Sequence, residues 1–346
     1  MKKTQRIVVI LIVLFLGLSL AACQQQTAAA IEPTKVLSET PTESQANEPA
    51  PTTGSEEVKD PTATTTGQTE TPQEEATSTE EEPTDLPPTA TADIRLDPED
   101  WRNWPVVPEI SGHAIDLYNQ ALADGADPTH FSKIGDCQNV TSYFLADFDR
   151  NRYRLGEEYA YLQEVIDHFA GSWKRESMAV KGGFNVASVL NPMLSNPEYC
   201  EPNETPLDCE FRLHNPSIVI ISMETWWNHD NPEKYEFYMR NLLDQVLEKG
   251  ALPIIATKAD NLEGDHTINR SIAQLAYEYD IPMWNFWAAT DPLPAHGLVE
   301  DGFHLTLGLG NYFDNPDNFA GAWPIRNLTA LQTMDAVYQA VNAADQ

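Results

Sequence analysis

The sequence is poor in basic residues and in cysteine. Lysine and arginine together number 21 against 53 aspartates and glutamates, which gives a formal net charge of −32. A nucleic-acid-binding protein needs a basic face for the phosphate backbone, so this class is excluded, and docking on anionic lipid by charge is disfavoured. The four cysteines are too few for a disulfide scaffold and show no CxxC spacing, which argues against structural zinc. The histidines show no metal-ligand spacing either, so we predict neither a metal nor a cofactor.

A hydrophobic segment long enough to span a membrane is also missing. The apolar run 7–16 follows three basic residues and is shorter than the roughly 20 residues that a spanning helix needs. This arrangement indicates an export signal over residues 1–22. Its ending, Leu-Ala-Ala-Cys, resembles a bacterial lipobox, which implies lipidation of Cys23, a membrane tether and an extracytoplasmic location. An ordinary cleaved signal or an uncleaved anchor is the alternative.

Aromatic residues are absent from the segment that follows, 23–95, where threonine, proline and glutamate dominate. Such a segment cannot bury enough apolar surface to offset its conformational entropy. We therefore predict a disordered linker, acting as a stalk. The rest of the chain, 96–346, has the length and composition of one globular domain.

Within this domain, short β-rich runs alternate with stretches of helical periodicity. The pattern predicts strands at 131–134, 178–180, 217–222, 252–256 and 281–287, and helices at 155–169, 235–247, 268–276 and from 324 onward. Alternation with short connections is typical of the α/β class, here a three-layer α/β/α sandwich with a mainly parallel, five-stranded sheet. Ligands of such sheets bind beyond the carboxyl ends of the strands.

Residues able to do chemistry follow several predicted strands. Cys137 stands in a small-residue turn after the first strand, where a helix N-terminus would favour negative charge. Asp301 precedes His304 by three residues, a spacing that lets the carboxylate hold one ring nitrogen and leave the other as a base. Gly182 and Gly183 follow the second strand and expose backbone N–H groups that could face an oxyanion.

These segments, in this order, resemble the SGNH (GDSL) hydrolase family over about residues 130–310. The turn 135–137 reads Gly-Asp-Cys where the family has Gly-Asp-Ser. Asp301 and His304 match the family's Asp-x-x-His block, which supplies the orienting acid and the base. The resemblance implies a flavodoxin-like fold and a cysteine in the place of the nucleophile.

The oxyanion hole that the resemblance implies consists of backbone N–H groups of Cys137 and of Gly182 or Gly183. The family's third block usually reads Gly-x-Asn-Asp and adds an asparagine donor. Here the segment 224–228 reads Glu-Thr-Trp-Trp-Asn, which puts Asn228 two positions late. Asn228 is therefore a candidate donor whose position departs from the family pattern.

The function that follows is a membrane-tethered, extracytoplasmic esterase or deacetylase acting through Cys137, His304 and Asp301. Its expected partner is an acyl ester, carried on an envelope or extracellular polysaccharide. Two alternatives stay open, a catalytically inactive scaffold that binds carbohydrate and an O-acyltransferase in which a sugar hydroxyl replaces water. A structural role for Cys137 is a further interpretation of that residue.

The roles of several other residues are also predicted, in two cases with two alternatives. Cys200 and Cys209 lie in a proline-rich loop, and one local disulfide is their simplest account in an exported protein, leaving Cys137 free. The loop 257–261 after the fourth strand either adds polar groups to the cleft or caps a turn. Four tryptophans fit either a sugar-binding platform or core packing, namely Trp226, Trp227, Trp284 and Trp287.

Overall fold

The continuous apolar runs of the sequence form the central sheet of a computed structural model, which describes residues 95–223 and 231–344. The strands of this part are β1 (Asp127–Gly135), β2 (Tyr153–Arg154), β3 (Pro216–Ser222), β4 (Leu252–Ala256), β5 (Met283–Trp284) and β6 (Asn311–Tyr312). Four of them form a parallel sheet in the order β1-β3-β4-β5, while β2 and β6 form a separate parallel pair.

The described residues belong to one compact unit, Asp85–Gln346. The other unit, Met1–Thr84, contains the predicted signal segment 1–22 and the predicted lipidation site Cys23, which lie outside the described residues. No helix within 95–223 and 231–344 is long and apolar enough to cross a membrane.

Side chains of the strands alternate between two hydrophobic cores, one on each face of the sheet. In β3, Ile218 and Ile220 join one core, and Val219 and Ile221 join the other. The first core also receives α1 (Gly112–Ala123), α2 (Gln163–His168) and α7 (Ala322–Ala344). The second receives α3 (Pro206–His214), α4 (Pro232–Glu248), α5 (Thr267–Tyr279) and Trp287 of the short α6 (Phe286–Thr290). This is the predicted α/β architecture, with helices on both faces of a mainly parallel sheet.

The sheet has four strands in the described residues, where the sequence predicts five. The segment 178–180 makes only a single bridge, from Val180 to Gly135. One reason is that the backbone N–H of Ala179, which the next rung of a ladder with β1 would need, donates instead to the hydroxyl oxygen of Ser177 at 3.1 Å. A neighbouring side chain thus takes a donor that a strand ladder would need, while the N–H of Met178 donates to the buried Glu210 of α3 at 2.8 Å.

Two other elements are shorter than predicted. The helix expected over 155–169 is reduced to α2, which a 3₁₀ turn (Ala160–Leu162) precedes. The strand expected over 281–287 ends at Trp284, because the side chain of Asn285 caps α6 by accepting the backbone N–H of Ala288 at 3.2 Å.

A disulfide joins Cys200 to Cys209 at the start of α3. Replacing both cysteines with serine should lower the free energy of unfolding by about 2–3 kcal/mol, because the bond closes a short loop in the unfolded chain. Urea unfolding would measure this loss, with the reduced wild-type protein as the matched control. Equal stability of the oxidised wild type and the double variant would contradict the prediction.

Candidate active site

The candidate nucleophile lies in the turn that ends β1. The carboxylate of the buried Asp136 accepts the backbone N–H of Gln138 at 2.9 Å and so shapes the turn around Cys137. Cys137 is half-buried and is not part of the disulfide between Cys200 and Cys209. The element after it is a single 3₁₀ turn (Cys137–Asn139) and not the predicted helix. The expected contribution of a helix dipole at the sulfur is therefore absent, since a macrodipole needs many aligned peptides.

Glycine is required at position 135 by close packing. A Cβ atom there would lie 1.9 Å from Nδ2 of Asn139 and 2.6 Å from the backbone oxygen of Ser222. The same Nδ2 donates a hydrogen bond to that oxygen, at 2.7 Å. This hydrogen bond holds the turn that carries Cys137 at the carboxyl end of β3. Ligands of parallel sheets bind beyond this end of the strands.

The imidazole of His304 comes from a loop near the C-terminal end of the domain. Within this loop one oxygen of Asp301 accepts the backbone N–H groups of Phe303 and His304, both at 2.9 Å. Its other oxygen lies 2.6 Å from Nδ1 of His304. The carboxylate therefore selects the tautomer with a proton on Nδ1 and leaves Nε2 as the base.

The structure brings the predicted thiol, imidazole and carboxylate together. Nε2 of His304 lies 3.9 Å from Sγ of Cys137, although the two residues are 167 positions apart. Burial alone would raise the pKa of Asp301, but hydrogen bonds from the side chain and backbone of His304 and from Phe303 outweigh it and lower that pKa. A carboxylate that stays ionised can stabilise an imidazolium as it forms. The side chains of His304 and Asp301 are 58% and 50% exposed, so the site is open to a bulky substrate.

Gly182, a predicted oxyanion donor, lies close to Cys137. A Cβ atom added to Gly182 would be 3.8 Å from Cβ of Cys137, whereas one added to Gly183 would meet nothing within 4 Å. The backbone N–H of Lys181 donates to the oxygen of Gly135 at 3.3 Å, which holds this segment against the end of β1. The third predicted donor, Asn228, lies outside the described residues, as do Trp226 and Trp227.

The other two candidate platform tryptophans are core residues. Trp284 is fully buried and its indole N–H donates to the hydroxyl of Thr329 at 3.0 Å. Trp287 is 8% exposed and packs edge-on against Trp101, with ring centroids 5.0 Å apart. Neither ring presents a face to solvent for a sugar.

The polar loop after β4 forms a buried ion cluster. Nζ of Lys258 lies 2.6 Å from an oxygen of Asp260 and 2.6 Å from an oxygen of Glu263, and the three side chains are 2%, 1% and 2% exposed. Burial raises the pKa of Asp260, and the attraction of Lys258 opposes that rise. These charged groups bind one another and are buried, so the interpretation of residues 257–261 as cleft-lining groups is wrong for Lys258 and Asp260.

One contact of the site is not marked by any sequence pattern. The side-chain amide of Gln138, the residue after Cys137, donates to the backbone oxygen of Phe303 at 3.2 Å. It joins the turn of the thiol to the loop of the imidazole.

Metal-type ligands cluster at one place in the described residues, at Cys200, Glu204 and Cys209. The two sulfurs there are bonded to each other. A disulfide sulfur is not a thiolate ligand, so this group does not fit a metal.

No protein-family model and no curated protein matches the chain. Solved structures do show a likeness. A candidate SGNH hydrolase from Slackia heliotrinireducens is 16% identical over 60% of this chain and 100% of its own, with a TM-score of 0.39. The acetyl xylan esterase AlAXEase is 13% identical over 61% of this chain and 99% of its own, with a TM-score of 0.34. A catalytic mutant of Axe2, an acetylxylan esterase from Geobacillus stearothermophilus, is 15% identical over 61% of this chain and 94% of its own, with a TM-score of 0.35.

Proposed function

We propose that the protein is a cysteine-dependent acyl-ester hydrolase of SGNH type, tethered to a membrane outside the cytoplasm. The observation that carries the proposal is the contact of 3.9 Å between Sγ of Cys137 and Nε2 of His304, with Asp301 bound to the other ring nitrogen. Nucleophile, base and orienting acid form the series that nucleophilic acyl transfer needs. The location rests on the signal and lipobox pattern of residues 1–23.

In the first half of the proposed reaction, Nε2 of His304 takes the thiol proton and the sulfur attacks the ester carbonyl carbon. Backbone N–H groups of Cys137 and Gly182 stabilise the negative oxygen of the tetrahedral intermediate. The intermediate collapses, the carbon–oxygen bond breaks, and the departing alcohol receives the proton from His304. The acyl group is then held as a thioester on Cys137.

In the second half, His304 takes a proton from water, and the resulting hydroxide attacks the thioester carbonyl. The carbon–sulfur bond breaks, the carboxylic acid leaves, and Cys137 regains its proton from His304. If a sugar hydroxyl takes the place of water, the same steps give an O-acyltransferase. The exposed His304 and Asp301 favour an acyl group on a bulky carrier such as a polysaccharide over a small buried substrate.

Hydrolysis of 4-nitrophenyl acetate by the purified protein tests the proposal. His304→Ala removes the base and should lower kcat by about 10²–10⁴-fold. His296→Ala is the matched control, because His296 also faces an aspartate, Asp291 at 3.6 Å, but is not a member of the catalytic group. Equal inertness of the wild type and His304→Ala toward a series of short-chain esters would overturn the hydrolase proposal and favour a carbohydrate-binding scaffold.

A further inference from the structure

The side chain of Gln138 connects the two halves of the catalytic pair. Gln138 is 2% exposed and directly follows Cys137, and its Nε2 donates to the oxygen of Phe303, the residue before His304. The bond spans 165 positions of sequence. A shift of this bond would therefore change the distance between sulfur and imidazole.

The other hydrogen bonds around His304 serve a different purpose. Bonds from Asp301 and from the backbone N–H of Val299, which donates to the oxygen of His304 at 2.8 Å, shape the loop internally. The backbone N–H of Trp323 donates to the oxygen of Thr306 at 3.1 Å and ties the far side of the loop to α7. These bonds fix the form of the loop, whereas the bond of Gln138 reaches the turn that carries the nucleophile.

The amide of Gln138 is only half satisfied. Its Oε1 is buried and accepts no hydrogen bond, a situation that costs free energy. An apolar side chain of the same length would suit this burial at least as well. The amide therefore contributes to the bond with Phe303 more than to the packing of the core.

We propose that Gln138 is a positioning residue that holds the imidazole of His304 against the thiol of Cys137. The role of Gln138 in ester hydrolysis rests on the proposed function. The effect of Gln138 on the ionisation of the Cys137 thiol can be tested without that function. A thiol paired with an imidazole ionises below the ordinary cysteine pKa of about 8.5. If the loop that carries His304 moves away, the imidazole no longer promotes ionisation of the Cys137 thiol.

The test is the alkylation rate of Cys137 by iodoacetamide as a function of pH in the full-length protein. Gln138→Met keeps the length and removes the donor, and we expect alkylation at pH 6–7 to slow by about 10-fold as the midpoint moves toward that of a free thiol. Gln138→Glu, which lacks the N–H donor but keeps the shape, should act in the same direction. Gln120→Met is the control, because the side-chain amide nitrogen of Gln120 donates, at 3.0 Å, to the exposed Asp124 that follows α1.

Thermal unfolding separates positioning from folding. Because Gln138→Met also removes the unsatisfied Oε1, its melting temperature should not fall below that of the wild type. A wild-type pH profile in this variant, or a free-thiol profile already in the wild type, would overturn the inference. A shifted profile in a protein that hydrolyses no ester would support positioning by Gln138 while defeating the proposed function.

Discussion

Replacing Cys137 with alanine is expected to abolish turnover of acyl esters, with a loss in kcat of at least about 10⁴-fold. The proposed route passes through a thioester, and the described site places the sulfur of Cys137 against the base at 3.9 Å. Without the sulfur, only oxyanion stabilisation and substrate binding could still accelerate the reaction. Stopped-flow and steady-state hydrolysis of 4-nitrophenyl acetate would measure the loss, and mass spectrometry of the wild type would detect the acyl group on Cys137.

Cys137→Ser is the informative companion of this variant. Serine fits the same turn, but its hydroxyl is far harder to deprotonate than a thiol, so the reaction would depend more strongly on His304 as a base. Lower activity than the wild type would support a thiol suited to this site. Higher activity would identify cysteine as a suppressed nucleophile. Hydrolysis by Cys137→Ala at the wild-type rate would place the nucleophile elsewhere and contradict the proposed mechanism.

The central strands could be predicted because they are buried on both faces. A run such as 217–222 has no polar alternation, and β3 covers it with every residue buried. The position of Cys137 follows from the same logic, since residues after parallel strands share one edge of the sheet. His304 is separated from β5 by α6 and a 3₁₀ turn, so its meeting with Cys137 could be expected only from the resemblance of the Asp-x-x-His block. In the folded chain, the turn that carries Cys137 and the loop that carries His304 lie side by side, although the two residues are 167 positions apart in sequence.

The failures have a common physical cause, namely specific side-chain partners that propensity does not describe. The segment 178–180 has the composition of a strand, but the side chains of Ser177 and Glu210 take the backbone N–H groups of Ala179 and Met178. The burial of Lys258 depends on Asp260 and Glu263 folding over it, which a polar loop sequence does not reveal. Propensity describes the average preference of a residue type, whereas these outcomes depend on which side chain binds which group in this fold.

Replacing Lys258 with methionine should lower the free energy of unfolding by about 3–5 kcal/mol at pH 7, the largest stability effect that we predict. The variant leaves the carboxylates of Asp260 and Glu263 buried without their shared ammonium. Each already has one oxygen without a hydrogen-bond partner, so no other group of the site can take over. Lys249→Met is the matched control, because Lys249 pairs with Asp208 at 2.5 Å while both side chains are about a third exposed, and such pairs contribute about 0–1 kcal/mol.

The pH dependence of the loss identifies its cause. Without Lys258, burial raises the folded-state pKa of Asp260 further above its unfolded value, so the folded variant binds more protons than the unfolded chain above about pH 4. Its stability should therefore decline as pH rises through that range, and the gap to the wild type should narrow when urea unfolding is repeated at pH 5. Adding Asp260→Asn and Glu263→Gln to Lys258→Met removes the buried negative charges and should recover much of the stability at pH 7. A loss that is the same at both pH values, and that persists in the triple variant, would show that Lys258 acts through packing and not through its charge.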